Sequence, residues 1–211
     1  MPRSNYTNRL FGRTRGRSKK KIDLKNYYEK VNKYKFQNFN KKLDYILDIG
    51  TGYGETSIFL AEQFSDKVVI SCEKYINGNI ILIKNIEKKR INNIRLHNGN
   101  VYDVLESINQ KYFGLVWIFF PDPWPKNKHT KRRLITCDFL IKLHKILKEN
   151  SEIHIATDSK IYVRFILSSI YNCKDYFFWL NQSKMNLHIK DYFNIETKYY
   201  KKAINSQRKP S

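Results

Sequence analysis

Tyr45-Ile46-Leu47-Asp48-Ile49-Gly50-Thr51-Gly52-Tyr53-Gly54-Glu55 is a short apolar run that breaks into alternating glycines. Its first residues have the length and composition of a buried strand, and Thr56 to Phe64 continues beyond the turn with apolar residues at helical spacing. Strand, tight turn and helix in that order form the opening unit of an α/β fold. Glycines at 50, 52 and 54 let the backbone approach a ligand closely where a Cβ would clash. Taken alone, such a turn can equally be structural.

The rest of the chain repeats the alternation. Strands are expected at Ile46 to Ile49, Val68 to Cys72, Asn93 to His97, Leu115 to Phe119 and Glu152 to Ala156, with helices near Thr56 to Phe64, Ile76 to Lys89, Tyr102 to Asn109, Lys131 to Lys148 and Lys160 to Ile170. This spacing predicts a mostly parallel sheet with helices on both faces. After Tyr171 the pattern becomes aromatic, and Tyr176 to Leu180 with Ile195 to Tyr200 reads as a closing antiparallel pair. In an open parallel sheet, ligands gather at the carboxyl ends of the strands, which is where Gly50, Glu73, Asn100, Asp122 and Asp158 all fall.

Glu73 ends the second strand roughly 20 residues beyond the glycines, where dinucleotide-type folds hold a ribose. The turn is tighter than a dinucleotide fingerprint and no Gly-Lys-Ser/Thr follows it, which disfavours both a nicotinamide pyrophosphate and a nucleoside triphosphate. A nucleoside without phosphates fits better, and S-adenosylmethionine is one.

The second informative stretch is Phe119-Phe120-Pro121-Asp122-Pro123-Trp124-Pro125-Lys126-Asn127-Lys128-His129-Thr130-Lys131-Arg132-Arg133. Each proline fixes its own φ and biases the preceding residue away from helix, so Asp122 is presented on a stiff extended loop. The cations Lys126, Lys128, Lys131, Arg132 and Arg133 can receive phosphates. Acid, indole and cations together suit a nucleobase attached to a polyanion. The alternative is a proline-rich surface turn with a solvated helix start behind it.

With these stretches in place, the chain resembles the bacterial, single-chain tRNA (guanine-N7-)-methyltransferases. The resemblance runs from Leu10-Phe11-Gly12-Arg13-Thr14-Arg15-Gly16-Arg17 through Asp48-Ile49-Gly50, Pro121-Asp122-Pro123-Trp124 and Ala156-Thr157-Asp158 to Thr197-Lys198-Tyr199-Tyr200. It implies a Rossmann-like, class I S-adenosylmethionine-dependent methyltransferase acting on tRNA, with a guanosine of the variable loop as acceptor. Carried over by position, it implies cofactor contacts from Asp48, Gly50, Gly52, Glu73, Asn100 and Asp122, with Asp122 as the catalytic acid. Lys126, Asp158, Thr197, Lys198, Tyr199 and Tyr200 are implied to contact substrate, and Lys128, His129, Thr130, Lys131, Arg132 and Arg133 to lie against RNA. Two positions depart from the family pattern: Asn100 stands where an acidic cofactor contact is usual, and Tyr200 where a Glu is usual. Asp158 has a second reading, as the N-cap of the helix beginning near Lys160.

Composition agrees. The chain's 211 residues suit one domain, and its three cysteines have neither metal-ligand nor redox spacing, as expected in a reducing cytoplasm. No apolar run approaches the ~20 residues of a membrane span. A net charge of +21 points to a polyanionic partner, although an AT-biased composition rich in Lys, Asn, Ile and Tyr accounts for part of it. Bias explains poorly the arginines at 3, 9, 13, 15 and 17, which precede the first acid at Asp23; residues 1–21 therefore read as a flexible RNA-binding arm, with an organellar transit peptide as the weaker alternative. Residues 22–204 form the methyltransferase domain and 205–211 a disordered tail. The scattered histidines show no metal spacing, so no metal is expected, nor any obligate protein partner. Two other classes remain: an RNA-binding protein of the same fold without chemistry, and a methyltransferase for exocyclic amino groups, whose usual Asn/Asp-Pro-Pro-Tyr/Phe differs from Pro-Asp-Pro-Trp.

Overall fold

The computed structural model describes residues 14, 23–180, 197–208 and 210. In chain order its elements are α1 (Leu24–Tyr34), β1 (Tyr45–Ile49), α2 (Glu55–Gln63), β2 (Val68–Cys72), α3 (Ile76–Lys89), β3 (Ile94–His97), α4 (Val101–Ser107), β4 (Phe113–Phe119), a 3-10 helix (Asn127–Arg132), α5 (Cys137–His144), β5 (Leu147–Ala156), α6 (Lys160–Tyr171) and α7 (Lys198–Asn205). The strands form one sheet in the order β3-β2-β1-β4-β5, and every pairing is parallel. The chain therefore runs outward from β1 to β3, then crosses back to lay β4 on the other side of β1. That reversal opens a crevice at the carboxyl ends of β1 and β4, the place where such sheets take ligands.

Alternation along the strands divides the core in two. Tyr45, Leu47 and Ile49 of β1, with Val116 and Ile118 of β4, pack among residues of α4, α5 and α6. Ile46, Trp117 and Phe119 point the other way, into a cluster with α1, α2, α3 and Tyr200 of α7. Side chains at successive strand positions face opposite sides, so a sheet covered on both faces must be apolar throughout. The five residues of β1 are all buried.

All five expected strands are present, and α3 has the bounds read from its spacing. Three expectations differ. The helix expected over Lys131 to Lys148 is confined to Cys137–His144, because Thr136 accepts a hydrogen bond from the Phe139 amide and starts the helix there, while Leu147 already begins β5. α1 replaces a stretch with no expected element; only Tyr27 and Val31 of it are buried, too few apolar positions to stand out in a Lys/Asn-rich segment. The closing antiparallel pair is absent from the described residues. Residues 177–180 form no strand, residues 195 and 196 lie outside the described set, and Lys198 to Tyr200 begin α7. Thr197 caps that helix through its hydroxyl, and burial of Tyr200 and Ala203, three residues apart, supplies the helical contact that the aromatic alternation concealed. Asn205 ends α7, and Ser206 to Arg208 turn back with backbone hydrogen bonds to it. The basic arm, apart from Thr14, lies outside the described residues; the Thr14 carbonyl accepts a hydrogen bond from the Ile76 amide at 3.0 Å.

Candidate active site

The turn after β1 is shaped by three glycines with positive φ, +75° at Gly50, +59° at Gly52 and +82° at Gly54. Gly78, inside α3, sits so close that a Cβ there would lie 1.9 Å from the Gly52 carbonyl oxygen. A Cβ at Gly50, by contrast, would meet nothing within 4 Å. The turn is thus packed tightly against α3 and open at Gly50. Glu73, at the end of β2, accepts from the Gly52 amide through Oε2 at 2.9 Å and from the Tyr75 amide through Oε1 at 2.8 Å. Burial raises its pKa, and these amides oppose the shift. Each carboxylate oxygen keeps acceptor capacity beyond its amide bond, so Glu73 can also receive vicinal hydroxyls. An adenosyl group fits this set: an open glycine floor with a carboxylate at its edge.

Asp48 lies beneath the turn. It is 1 % exposed, and its Oδ2 accepts from the Thr56 hydroxyl at 2.6 Å and the Ser57 hydroxyl at 2.7 Å, both from the first turn of α2. Burial pushes its pKa up to about 6 against those two bonds. Through Oδ2, Asp48 ties α2 to β1. Asn100 is the N-cap of α4, its Oδ1 accepting from the Tyr102 amide at 3.2 Å while the Asn100 amide donates to Asp103 Oδ2 at 3.0 Å. An Asn serves this capping box as well as an Asp does, so the first departure has a structural account.

The Pro-Asp-Pro-Trp loop follows β4 on the other side of the crevice. Phe120 and Trp124 both adopt left-handed backbone, φ +52° and +42°, a conformation costing non-glycine residues of order 1–3 kcal/mol each. The Phe120 amide bonds the Ala156 carbonyl of β5 at 2.7 Å, and Arg133 donates from Nε to the Pro123 carbonyl at 3.0 Å and from Nη2 to the Trp124 carbonyl at 3.2 Å. Between these anchors Asp122 is exposed. The Arg132 guanidinium lies 4.9 Å from the Trp124 ring centroid, and the His129 ring meets the same indole edge-on at 5.6 Å. The Thr130 hydroxyl donates to the Asn127 carbonyl at 2.7 Å, inside the 3-10 helix. Lys126, Lys128 and Lys131 are exposed, whereas Arg133 is buried and its donors face the loop's carbonyls.

α7 closes over both loops. A Cβ on Gly52 would be 3.3 Å from Tyr199 Cε2, and the Tyr199 ring lies 6.5 Å from that of Phe120 at 23°. Burial raises the Tyr199 pKa, and the charges of Glu73 and Asp122 add to it. The helix is held by the Lys198 amide on Glu55 Oε1 at 3.2 Å and by Lys198 Nζ, 4.1 Å from the centre of the Tyr53 ring. Thr197 is buried and its hydroxyl caps the helix. Tyr200 is 5 % exposed and packs in the core cluster with Trp117 and Phe119. Asp158, partly exposed after β5, pairs with Arg208 Nε at 3.1 Å; Ser159, whose Oγ accepts from the Tyr162 amide, is the N-cap of α6 that Asp158 was the alternative candidate to be.

Comparison with known proteins converges on one family. The family model described as "Putative methyltransferase" matches residues 42–210. The tRNA (guanine-N(7)-)-methyltransferase of Neorickettsia sennetsu is 34% identical over 76% of this chain and 74% of that protein, and the one of Wolbachia pipientis wMel is 32% identical over 92% and 86%. The chain belongs to the tRNA (guanine-N7-)-methyltransferase family. A solved precorrin-6y C5,15-methyltransferase from Geobacter metallireducens GS-15 superposes with a TM-score of 0.50 at 14% identity, over 74% of this chain and 73% of that one, and shows the common Rossmann-like fold.

Within this methyltransferase several supports escaped the sequence reading. Tyr53 and Glu55 anchor α7, and Asn79 of α3 donates to the Glu73 carbonyl at 2.9 Å and to the Tyr27 hydroxyl at 3.2 Å, fixing the end of β2 against α1. Gly78 carried a readable signal, since an isolated glycine inside a helical pattern marks close backbone approach. Among the described residues no cluster of His, Cys, Asp and Glu is suited to a metal, and no helix is long and apolar enough to cross a membrane.

Proposed function

We propose that this protein transfers a methyl group from S-adenosylmethionine to N7 of a guanosine in tRNA. The observation that carries the reading is the meeting of two loops under one ring: Tyr199 touches the glycine turn and faces Phe120, two residues before the exposed Asp122. Gly50, Gly52 and Glu73 would hold the adenosyl group, with Asn100 at the neighbouring strand end. When bound, S-adenosylmethionine supplies an electrophilic methyl group on a sulfonium.

Guanine N7 offers a lone pair and has no proton to lose, so the site needs alignment rather than a general base. Asp122 orients the base by accepting from its amino edge and, as the purine becomes cationic, stabilises the developing charge. Tyr199 and Phe120 bound the space in which the base is held. Asp158 lies at the adjoining strand end, where it contacts the guanine or the loop that carries it. Lys126, Lys128 and Lys131 meet phosphates, and the acceptor is a guanosine of the variable loop. Transfer of labelled methyl to unmodified bulk tRNA, followed by nucleoside analysis and nuclease mapping, tests this. The expected product is 7-methylguanosine in the variable loop. Label on an exocyclic amino group, or cofactor-independent tRNA binding with no incorporation, would replace the reading with one of its two competitors.

A further inference from the structure

We infer that Arg133 is a positioning residue that holds the Asp122 loop in its working shape, dividing the basic run between loop support and RNA contact. The inference rests on the proposed role of Asp122. Arg133 is 7 % exposed, beside lysines that are open to solvent. A guanidinium keeps its charge under any ordinary condition and must be supplied with acceptors when buried. Here the acceptors are two consecutive carbonyls, Pro123 at 3.0 Å from Nε and Trp124 at 3.2 Å from Nη2, immediately after Asp122. It lies over rings of α6, with the guanidinium carbon 4.7 Å from the Phe165 centroid and 5.9 Å from that of Tyr162.

Three prolines fix φ at 121, 123 and 125 but leave ψ free, so they stiffen the loop without choosing its carbonyl directions. Arg133 chooses two of them, and it does so where Trp124 holds a left-handed φ of +42°. The loop's other end is pinned by the Phe120 amide on the Ala156 carbonyl. Asp122 is suspended between these anchors, and loss of one lets it leave the reacting geometry. A displacement of about 1 Å in such an arrangement is enough to cost on the order of 100-fold in rate.

The test compares Arg133→Met, Arg133→Lys, Asp122→Asn and the Asp122→Asn/Arg133→Met double variant, reading single-turnover rate at saturation and the salt dependence of tRNA binding. Arg133→Met is expected to lower the saturated rate at least about tenfold with an unchanged salt slope. Arg133→Lys keeps the charge but lacks the planar fork, and is expected to lose rate as well. The double variant should be no slower than Asp122→Asn, because both changes act on one group. A weakened, less salt-dependent tRNA affinity with full rate in the saturated complex would make Arg133 a phosphate contact and overturn the inference. So would full rate in both folded single variants; should Arg133→Met fail a thermal melt, full rate in Arg133→Lys alone overturns it. An Asp122→Asn enzyme at wild-type rate removes the reading of Asp122 itself, whereas slow Asp122→Asn beside fast Arg133 variants removes only this inference.

Discussion

The two loops that flank the crevice are built by opposite means. The glycine turn after β1 is shaped by its own backbone and by the β2–α3 unit that follows it: positive φ at 50, 52 and 54, Glu73 on the Gly52 amide, Gly78 against the Gly52 carbonyl. The acid loop after β4 is held by a side chain ten residues on, by the last residue of β5 and by the ring of Tyr199 from the far end of the chain. One is a backbone floor that any adenosyl group can use. The other is a side-chain assembly that must be put together before it can present Asp122, and in the proposed function the specificity of the reaction is assigned to it.

The turn can be broken by a single methyl. Gly78→Ala places a Cβ 1.9 Å from a backbone oxygen, and neither helix α3 nor the turn can yield without losing Glu73 or Leu82 contacts. A loss of about 3 kcal/mol or more by denaturant unfolding is expected, together with weakened cofactor binding. Unchanged stability would mean that the turn is looser than its packing indicates.

Beneath the same turn, Asp48 makes stability depend on pH. Its folded pKa of about 6 exceeds the unfolded value near 3.9, so the neutral carboxyl stabilises the fold below about pH 4 and this contribution is lost as pH rises through 6. The shift corresponds to about 3 kcal/mol by pH 7. Asp48→Asn keeps an acceptor for Thr56 and Ser57 and removes the titration. Its stability relative to wild type should therefore rise by up to about 3 kcal/mol between pH 4 and pH 7, measured by urea unfolding; a constant difference would refute the assignment. Glu73 shifts in the same direction and is present in both proteins; its charge is the smallest of the causes of the Asp48 shift.

On the acid-loop side, Lys128→Gln and Lys131→Gln are expected to leave cofactor affinity unchanged and to lower the salt slope of tRNA binding by about one unit or less each. An unaltered slope in both would move the RNA elsewhere. The smallest effect is expected at the edge of this region: Arg208→Gln breaks a half-exposed pair with Asp158 and should cost no more than about 1 kcal/mol in a thermal melt.

The comparison also explains what could be read in advance. Strands and helices from Tyr45 to Lys89 follow clean periods, so this half of the sheet and the glycine turn were legible in the sequence. Asp122 was legible because prolines announce its loop. What stayed hidden depends on long-range burial. In the basic run Lys131 and Arg133 look alike as charges, and only the fold shows that the arginine is enclosed while the lysine is open. Tyr199 and Tyr200 likewise read as neighbouring aromatics in a strand, whereas a helix started by Thr197 sends one toward Gly52 and the other into the core.

The most direct test of the account is single-turnover formation of 7-methylguanosine in unmodified tRNA by the wild-type protein and by Asp122→Asn, with binding of tRNA and cofactor measured on the same samples. The account predicts 7-methylguanosine from the wild type and a rate lowered about 10²–10³-fold in the variant, with both affinities retained. A folded Asp122→Asn protein that methylates N7 at the wild-type rate would contradict it.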